Sequence, residues 1–444
     1  MNLKKVLTLL LATAMVTSLF AGCGSSSEET APAEEGTTAA AEETSTESGE
    51  PTQLTIWTPP LDSDTEANWR PLLDKFEQEN NCEITLELIP WANYQEKYVT
   101  AINAEEGPDI GYMYNELYPT FIDAGAIDDL TPYLEESDYE YYNYIDNTKM
   151  YGGTYGLPIV SGVPFVMYYN KDILDSLGET APETWEDFYR ICEKATQDTD
   201  GDGKIDQYGV SLGWGGTTVA QLNSNWYMWL WQAGGDIYNE DCTAVRFNDE
   251  AGLEAANFLM SLKPFMPEDA MSLTNSDAFQ KVFGEGKAAF SVTRSSQTQE
   301  TQFAQTYPNL NWDYVTSLKN KEYGTFGATD SLVLMNACEN KELAVKLMKY
   351  IVGPEFMTEY HKTCPGAPLT VDEPYQGDAK MERIVTEDID KLRGLTVGPK
   401  GQEIYEYLWK QLQLMFEGTQ TPEDSLNNAA EYANGLLDEY WAGK

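Results

Sequence analysis

Aromatic rings stand beside acids and amides wherever this chain turns from an apolar, strand-like run into a loop. Trp57 closes the alternating run 54–57, and Asp62 and Asp64 follow in the next loop. Tyr112, Tyr114, Asn115 and Glu116 sit at the end of a third such run, 109–113. Trp214 lies between glycines in Gly213-Trp214-Gly215-Gly216-Thr217, which predicts an exposed ring on a flexible loop. Arg294 and Ser296 follow the apolar run 288–292. Flat rings stack on the C–H faces of sugars, while carboxylates, amides and Arg bond the hydroxyl rims, often two at a time. Ligands of open α/β sheets bind where strands end. The pattern therefore fits the holding of a hydroxyl-rich small molecule.

Two other constellations could carry chemistry. Asp198, Asp200, Asp202, Lys204 and Asp206 place oxygens at alternate positions of an EF-hand-type loop, with Gly203 at six and Lys204 offering its carbonyl. Position twelve is Gly209, so the closing bidentate Glu is missing and a distant carboxylate would have to supply it. The loop is either a structural Ca²⁺ site that braces its surroundings or a metal-free Asp/Gly turn. No other cofactor is called for. Gly209-Val210-Ser211-Leu212-Gly213 matches the nucleophile-elbow pattern, but the chain has one histidine, His361, and the match falls in a strand-like run. A glycosidase built on two of the many carboxylates is the other enzymatic alternative; neither is expected.

The elements that must position these residues alternate. Runs 54–57, 84–89 and 109–113 read as strands and 69–79 and 94–103 as helices, a β-α-β-α-β order that builds a parallel sheet. Further strands are predicted at 165–169, 209–212, 288–292 and 331–335, and helices at 185–195, 225–232, 252–262, 277–283, 341–352, 402–416 and 422–441. Thr184 with Asp187 reads as the N-cap of one helix. Trp185, Trp226, Trp229 and Trp231 are expected in the core.

With 28 basic and 73 acidic residues the formal net charge is −45. Such a field opposes nucleic acid and anionic membrane surfaces as partners. The segment 24–52 has no aromatic residue and no Lys or Arg, too little apolar surface to fold, and reads as a linker. Cysteines 82, 192, 242, 338 and 364 form no CxxC, so zinc and thioredoxin chemistry find no support. They read as small buried hydrophobes with at most an optional bridge.

The N-terminus carries Lys4 and Lys5, an apolar run too short to span a bilayer, then Phe20-Ala21-Gly22-Cys23. It resembles a bacterial lipoprotein lipobox, which implies cleavage after a signal peptide at 1–22 and a lipid on Cys23. Gly107-Pro108-Asp109-Ile110 with 124–133, Tyr155-Gly156-Leu157-Pro158 with Tyr168-Tyr169-Asn170-Lys171-Asp172, and Pro182-Glu183-Thr184-Trp185 follow in order. So do the runs 231–236, 283–290 and 340–344. Together these blocks resemble the bacterial extracellular solute-binding proteins of ABC importers, in the sugar-binding branch that includes maltose-binding proteins.

That resemblance implies a periplasmic-binding-protein-like fold, two α/β lobes joined by a multi-segment hinge that closes on a ligand. It implies an N-terminal lobe of 53–162 plus 326–370 and a C-terminal lobe of 163–325 plus 371–444, with crossings near 159–164, 324–330 and 365–374. Glu116 matches an acidic residue that contacts sugar in maltose-binding proteins, and Asp330 falls at the second crossing. The family commonly has Gly and Trp near Arg294, so this chain departs there, and an Arg could meet a carboxylate across the cleft or an acidic sugar. The expectation is a lipid-anchored, monomeric, extracytoplasmic receptor that hands a carbohydrate to the membrane subunits of an ABC permease. A receptor for a non-sugar solute and a glycan-binding adhesin are the alternatives.

Overall fold

The computed structural model describes residues 50–104 and 106–444. The expected signal peptide, Cys23 and nearly all of the linker lie outside the described residues.

Alternation sets the first strands. In β1 (Thr52–Thr58) and β2 (Cys82–Leu88) the buried side chains include Leu54, Ile56, Cys82 and Ile84. β3 (Ile110–Tyr114) is buried on both faces, as a central strand must be. Next come a small hairpin, β4 (Lys149–Met150) with β5 (Gly153–Thr154), and the long β6 (Leu157–Asn170). β7 (Tyr208–Ser211), β8 (Ala288–Arg294), β9 (Trp312–Val315), β10 (Thr325–Leu334) and β11 (Leu392–Arg393) follow. The principal sheet runs β2-β1-β3-β10-β6-β8-β7, with β9 also on β6 and β11 on β10. β1 is parallel to both β2 and β3, and β7 to β8, as the strand-helix alternation predicts.

Two large hydrophobic cores form on this sheet. One gathers β1–β3 with the helices Thr65–Asn80, Tyr94–Asn103 and Lys341–Ile351. The other gathers β7 and β8 with Trp185–Ala195, Glu250–Leu262, Gly401–Glu417 and Pro422–Ala442. Two strands belong to both. β6 gives Leu157 and Ile159 to the first core and Met167 to the second, while β10 gives Phe326 to the second and Leu332–Leu334 to the first. They pair antiparallel, and the register slips twice, between Ala328 and Thr329 and between Asp330 and Ser331. A third connection, after His361, is pinned to the first core: Asn143 N–H donates to the Leu369 carbonyl, and the buried His361 and Glu373 pair at 2.5 Å. From there the chain passes on to Met381 and Ile384, which pack on Val166 and Tyr168.

Local chemistry matches the sequence where it is strongest. Thr184 accepts from Asp187 N–H and starts the helix Trp185–Ala195. The predicted helix 225–232 begins as one wide turn, Asn223–Tyr227, before Met228–Gln232. Trp226, Trp229 and Trp231 are fully buried, and Trp185 stacks on Phe258 with ring centres 4.0 Å apart. All five cysteines from Cys82 to Cys364 are free thiols, so the optional bridge is not formed. Ser211 lies inside β7 and donates its hydroxyl to the Ala278 carbonyl, which leaves no elbow and no nucleophile.

Trp214 corrects the sequence reading. It is 0% exposed, stacked between Trp409 and Phe416 at centroid distances of 5.5 and 4.2 Å. Its neighbours are glycine for closeness, not freedom. A Cβ on Gly213 would lie 2.2 Å from the Thr274 carbonyl oxygen, and one on Gly215 2.4 Å from that of Met271. The ring is a structural post of the second core and is not available to stack on a ligand. Trp214→Ala should therefore cost about 3–5 kcal/mol of stability, as large-to-small aromatic changes in cores do. Thermal melting of the ligand-free protein checks this; a melting point unchanged from wild type would return the ring to the surface.

Candidate functional site

A cavity of about 340 Å³ opens where the shared strand β10 meets the end of β3. This is the volume range of small-molecule sites. Its walls come from both cores. β3 ends at Tyr114 and turns through Asn115–Leu117, which brings Tyr114, Asn115 and Glu116 to the cavity. β10 supplies Phe326, Thr329 and Asp330. Trp91 and Gln95 enter from beside the helix Tyr94–Asn103, Asn223 and Tyr227 from the aromatic helix, and Gln402 and Tyr405 from the helix Gly401–Glu417.

Small hydrogen-bond chains hold this geometry. Asn115 Nδ2 donates to the Asn147 carbonyl at 2.7 Å, and Asn147 Nδ2 donates to Thr329 Oγ1 at 2.9 Å. The strand-end turn is thereby tied to β10. With its nitrogen so engaged, Asn115 leaves its amide oxygen without a partner although the residue is only 6% exposed. A buried acceptor of this kind costs stability until something donates to it. Tyr112 donates its hydroxyl to the Asp330 carboxyl.

Asp330 and Glu116 line the cavity and are half-buried. Burial is the chief reason the Asp330 carboxyl is pushed up to about 7; the charge of Glu116 pushes the same way, while the Tyr112 hydroxyl and the more remote Arg294 oppose it. Burial also raises Glu116 above the usual carboxylate range, against a hydrogen bond from its own backbone N–H. Tyr114 is pushed up to about 12, again mainly by burial.

A larger depression of about 890 Å³ shares Asn115 and Leu395 with this cavity. Protein already bridges its walls: Tyr440 Oη and Lys444 Nζ each lie 2.7 Å from Asp123 Oδ1, and Trp441 meets Tyr151 edge to face. It lacks the convergence of strand ends, and we place the site in the smaller cavity.

The family model of the bacterial extracellular solute-binding proteins matches residues 62–358. The chain belongs to this family. A galactooligosaccharide-binding protein of Bacillus subtilis is 22% identical over 410 residues, 89% of this chain and 92% of the relative. Among solved structures, an ABC transporter solute-binding protein of Thermotoga lettingae bound with α-D-tagatose shares 22% identity and a TM-score of 0.69, covering 87% of this chain and 100% of the other. An ABC substrate-binding protein of Listeria monocytogenes in complex with cycloalternan also has 22% identity and a TM-score of 0.69, over 87% and 99% of the two chains. The fold is accordingly that of a two-lobed solute-binding protein, an extracytoplasmic family that binds solutes and does not convert them.

Within that frame four of the residues picked out from sequence meet at the cavity: Tyr114, Asn115, Glu116 and Asp330. The others do not line it. Trp57 is 8% exposed, covered by Lys97, whose Nζ lies 4.2 Å from the ring centre, and meets Tyr98 edge to face. Asp62 is spent on its own loop, accepting from Asp64 N–H, Asn68 Nδ2 and Thr65 Oγ1 before the helix Thr65–Asn80. Ser296 caps the helix Gln297–Thr306 by accepting from Gln299 N–H. Arg294 is exposed at the end of β8. Trp214 is core, as described above. Of the acidic loop, Asp198, Asp200 and Asp202 bring ligand oxygens within 4.8 Å of one another, whereas Asp206 turns to Thr199 and Asp202 accepts from Lys204 N–H.

Sequence reasoning passed over Trp91, Gln95, Asn223, Tyr227, Gln402 and Tyr405. Trp91 had a signal: it stands just past the end of β2, beyond Pro90, where the strand-end rule applies as it does to Tyr114. Tyr227 and Tyr405 had none, because they point from helices that read as core.

The raised Asp330 gives a signed pH dependence. Its unfolded carboxyl titrates near 4, so between about pH 4 and 7 the folded chain holds a proton that the unfolded chain lacks. Stability from this group is greatest below about pH 4 and is lost as pH rises through about 7. Relative to Asp330→Asn, the wild-type melting point should fall by about a few degrees between pH 5 and 7.5, given the size scaling of melting temperatures. Melts of both proteins across that range test it, and parallel curves would refute it.

Proposed function

We propose that this protein is a lipid-anchored receptor that binds a carbohydrate in the cavity between its two cores and delivers it to an ABC permease. One observation carries the reading. The exposed ring of Trp91 and the partly buried ring of Tyr114, backed by the buried Tyr227 and Tyr405, face a floor of carboxylates and amides in a cavity of about 340 Å³. Rings supply faces for sugar C–H groups, and the polar side chains supply acceptors and donors for hydroxyls. The named ligands of relatives support the same class: a galactooligosaccharide, tagatose and cycloalternan.

In this reading the lobes are 53–162 with 326–370 and 163–325 with 371–444. They close by bending where β6 and β10 lose register. Cys23 holds the lipid, the segment up to 52 is the leash, and the receptor works as a monomer. No catalytic cofactor takes part. The Asp198, Asp200 and Asp202 cluster is where a structural Ca²⁺ would sit, remote from the ligand's chemistry.

Thermal-shift screening against mono- and oligosaccharides tests the reading, because a ligand held only by the folded form raises the melting point. Trp91 is the ring to remove: it is 51% exposed at the cavity mouth. Trp91→Ala should weaken sugar binding about tenfold, from loss of a stacking surface. The ligand-free melting point should move little, as for other exposed positions. Binding unchanged in this variant, or no shift with any saccharide, would reject the assignment.

A further inference from the structure

Among the described residues, no Lys, Arg or His lines the cavity, whereas Glu116 and Asp330 do. Carboxylates in sugar sites usually share the site with a cation or with donors that balance them. Here the balance is thin. Asp330 receives the Tyr112 hydroxyl, and Glu116 receives its own backbone N–H. The charge of Glu116 opposes the ionisation of Asp330, and Arg294, outside the lining, relieves Asp330 less than Glu116 burdens it. Their charges are felt further by Tyr94, Tyr118 and Tyr405, none of which offers a positive group. A third acid, Glu96, stands exposed at the adjoining mouth beside Trp91 and Tyr94. The buried, unpartnered amide oxygen of Asn115 is a further independent demand for a donor.

We propose that the cleft is built for a saccharide carrying a free amino group, whose ammonium is held by the carboxylates of Glu116 and Asp330 within an aromatic wall. The assignment rests on the carbohydrate reading and narrows it. An ammonium supplies what the site lacks: a positive charge and three donors, with none of the acceptors that would compete for them. The rings of Trp91 and Tyr114 suit a cation as well as a sugar face, since their π-clouds attract positive charge. The overall charge of −45 steers cations toward the protein and neutral sugars not at all.

The test compares matched pairs by thermal shift and calorimetry on the soluble chain: glucosamine with glucose, galactosamine with galactose, chitobiose with cellobiose. Spermidine and N,N′-diacetylchitobiose serve as controls. At least one amino sugar should bind about tenfold or more tighter than its hydroxyl partner, the scale of a desolvated charge pair. Glu116→Gln should abolish that preference. It should also raise the ligand-free melting point, because it removes one of two unbalanced carboxylates; a simple loss of fold would lower it. Neutral sugars binding as well as their amino partners would overturn the inference and leave the carbohydrate receptor standing. Spermidine binding with no saccharide binding would overturn the carbohydrate reading itself. No shift with any amino sugar, or a preference that survives Glu116→Gln, would overturn the amino-sugar inference.

Discussion

Two strands that serve two cores at once constrain everything else in this molecule. β6 and β10 each begin in one core and end in the other. Their pairing slips register twice, and the slips bracket Thr329 and Asp330. The extra residues lie on β6, so β10 alternates undisturbed and Phe326, Ala328 and Asp330, two residues apart, all face the cavity. Asp330 thereby reaches the cavity, and Thr329 becomes the anchor for Asn147 and, through it, for Asn115. The floor of the site is thus a consequence of how the two halves are joined.

The parts of the fold governed by short-range rules were legible in the sequence. Period-two alternation gave β1 and β2, and a Thr-Asp cap fixed the start of the helix Trp185–Ala195. The helix Tyr94–Asn103 followed its apolar spacing to both ends. What periodicity missed was continuity. Residues 165–169 read as a separate strand, because Pro158, Gly162 and Pro164 break the pattern upstream of them. In the structure the strand runs from Leu157 to Asn170 through all three. It does so because the register slips lie in this stretch, where a missing N–H or side chain does least harm.

The site was half legible for a related reason. The turn Tyr114-Asn115-Glu116 follows a central parallel strand, and topology alone sends it to the ligand side of the sheet. Aromatic residues were harder, since a tryptophan satisfies a core and a sugar face equally well. The glycines around Trp214 were ambiguous in the same way. Glycine marks either a free loop or a backbone packed too closely for a Cβ, and only the crossing segment at Met271–Thr274 decides between them. Trp57 belongs with Trp214: a ring at a strand end that a neighbouring side chain, Lys97, has already covered.

The electrostatics of the cavity argue for holding a solute and against converting it. A glycosidase needs two carboxyl groups whose surroundings push them apart, one kept protonated as acid and the other ionised as base or nucleophile. Burial here raises both Glu116 and Asp330, and the charge of Glu116 raises Asp330 further. The one histidine is tied into a buried pair with Glu373, and the serine of the elbow-like motif is spent on a backbone carbonyl. What remains in the cavity is a set of rings and under-satisfied acceptors, whose free energy falls when a donor-bearing molecule arrives. Binding relieves that deficit and departure restores it, so the site gains from occupancy without needing any bond in its guest to change.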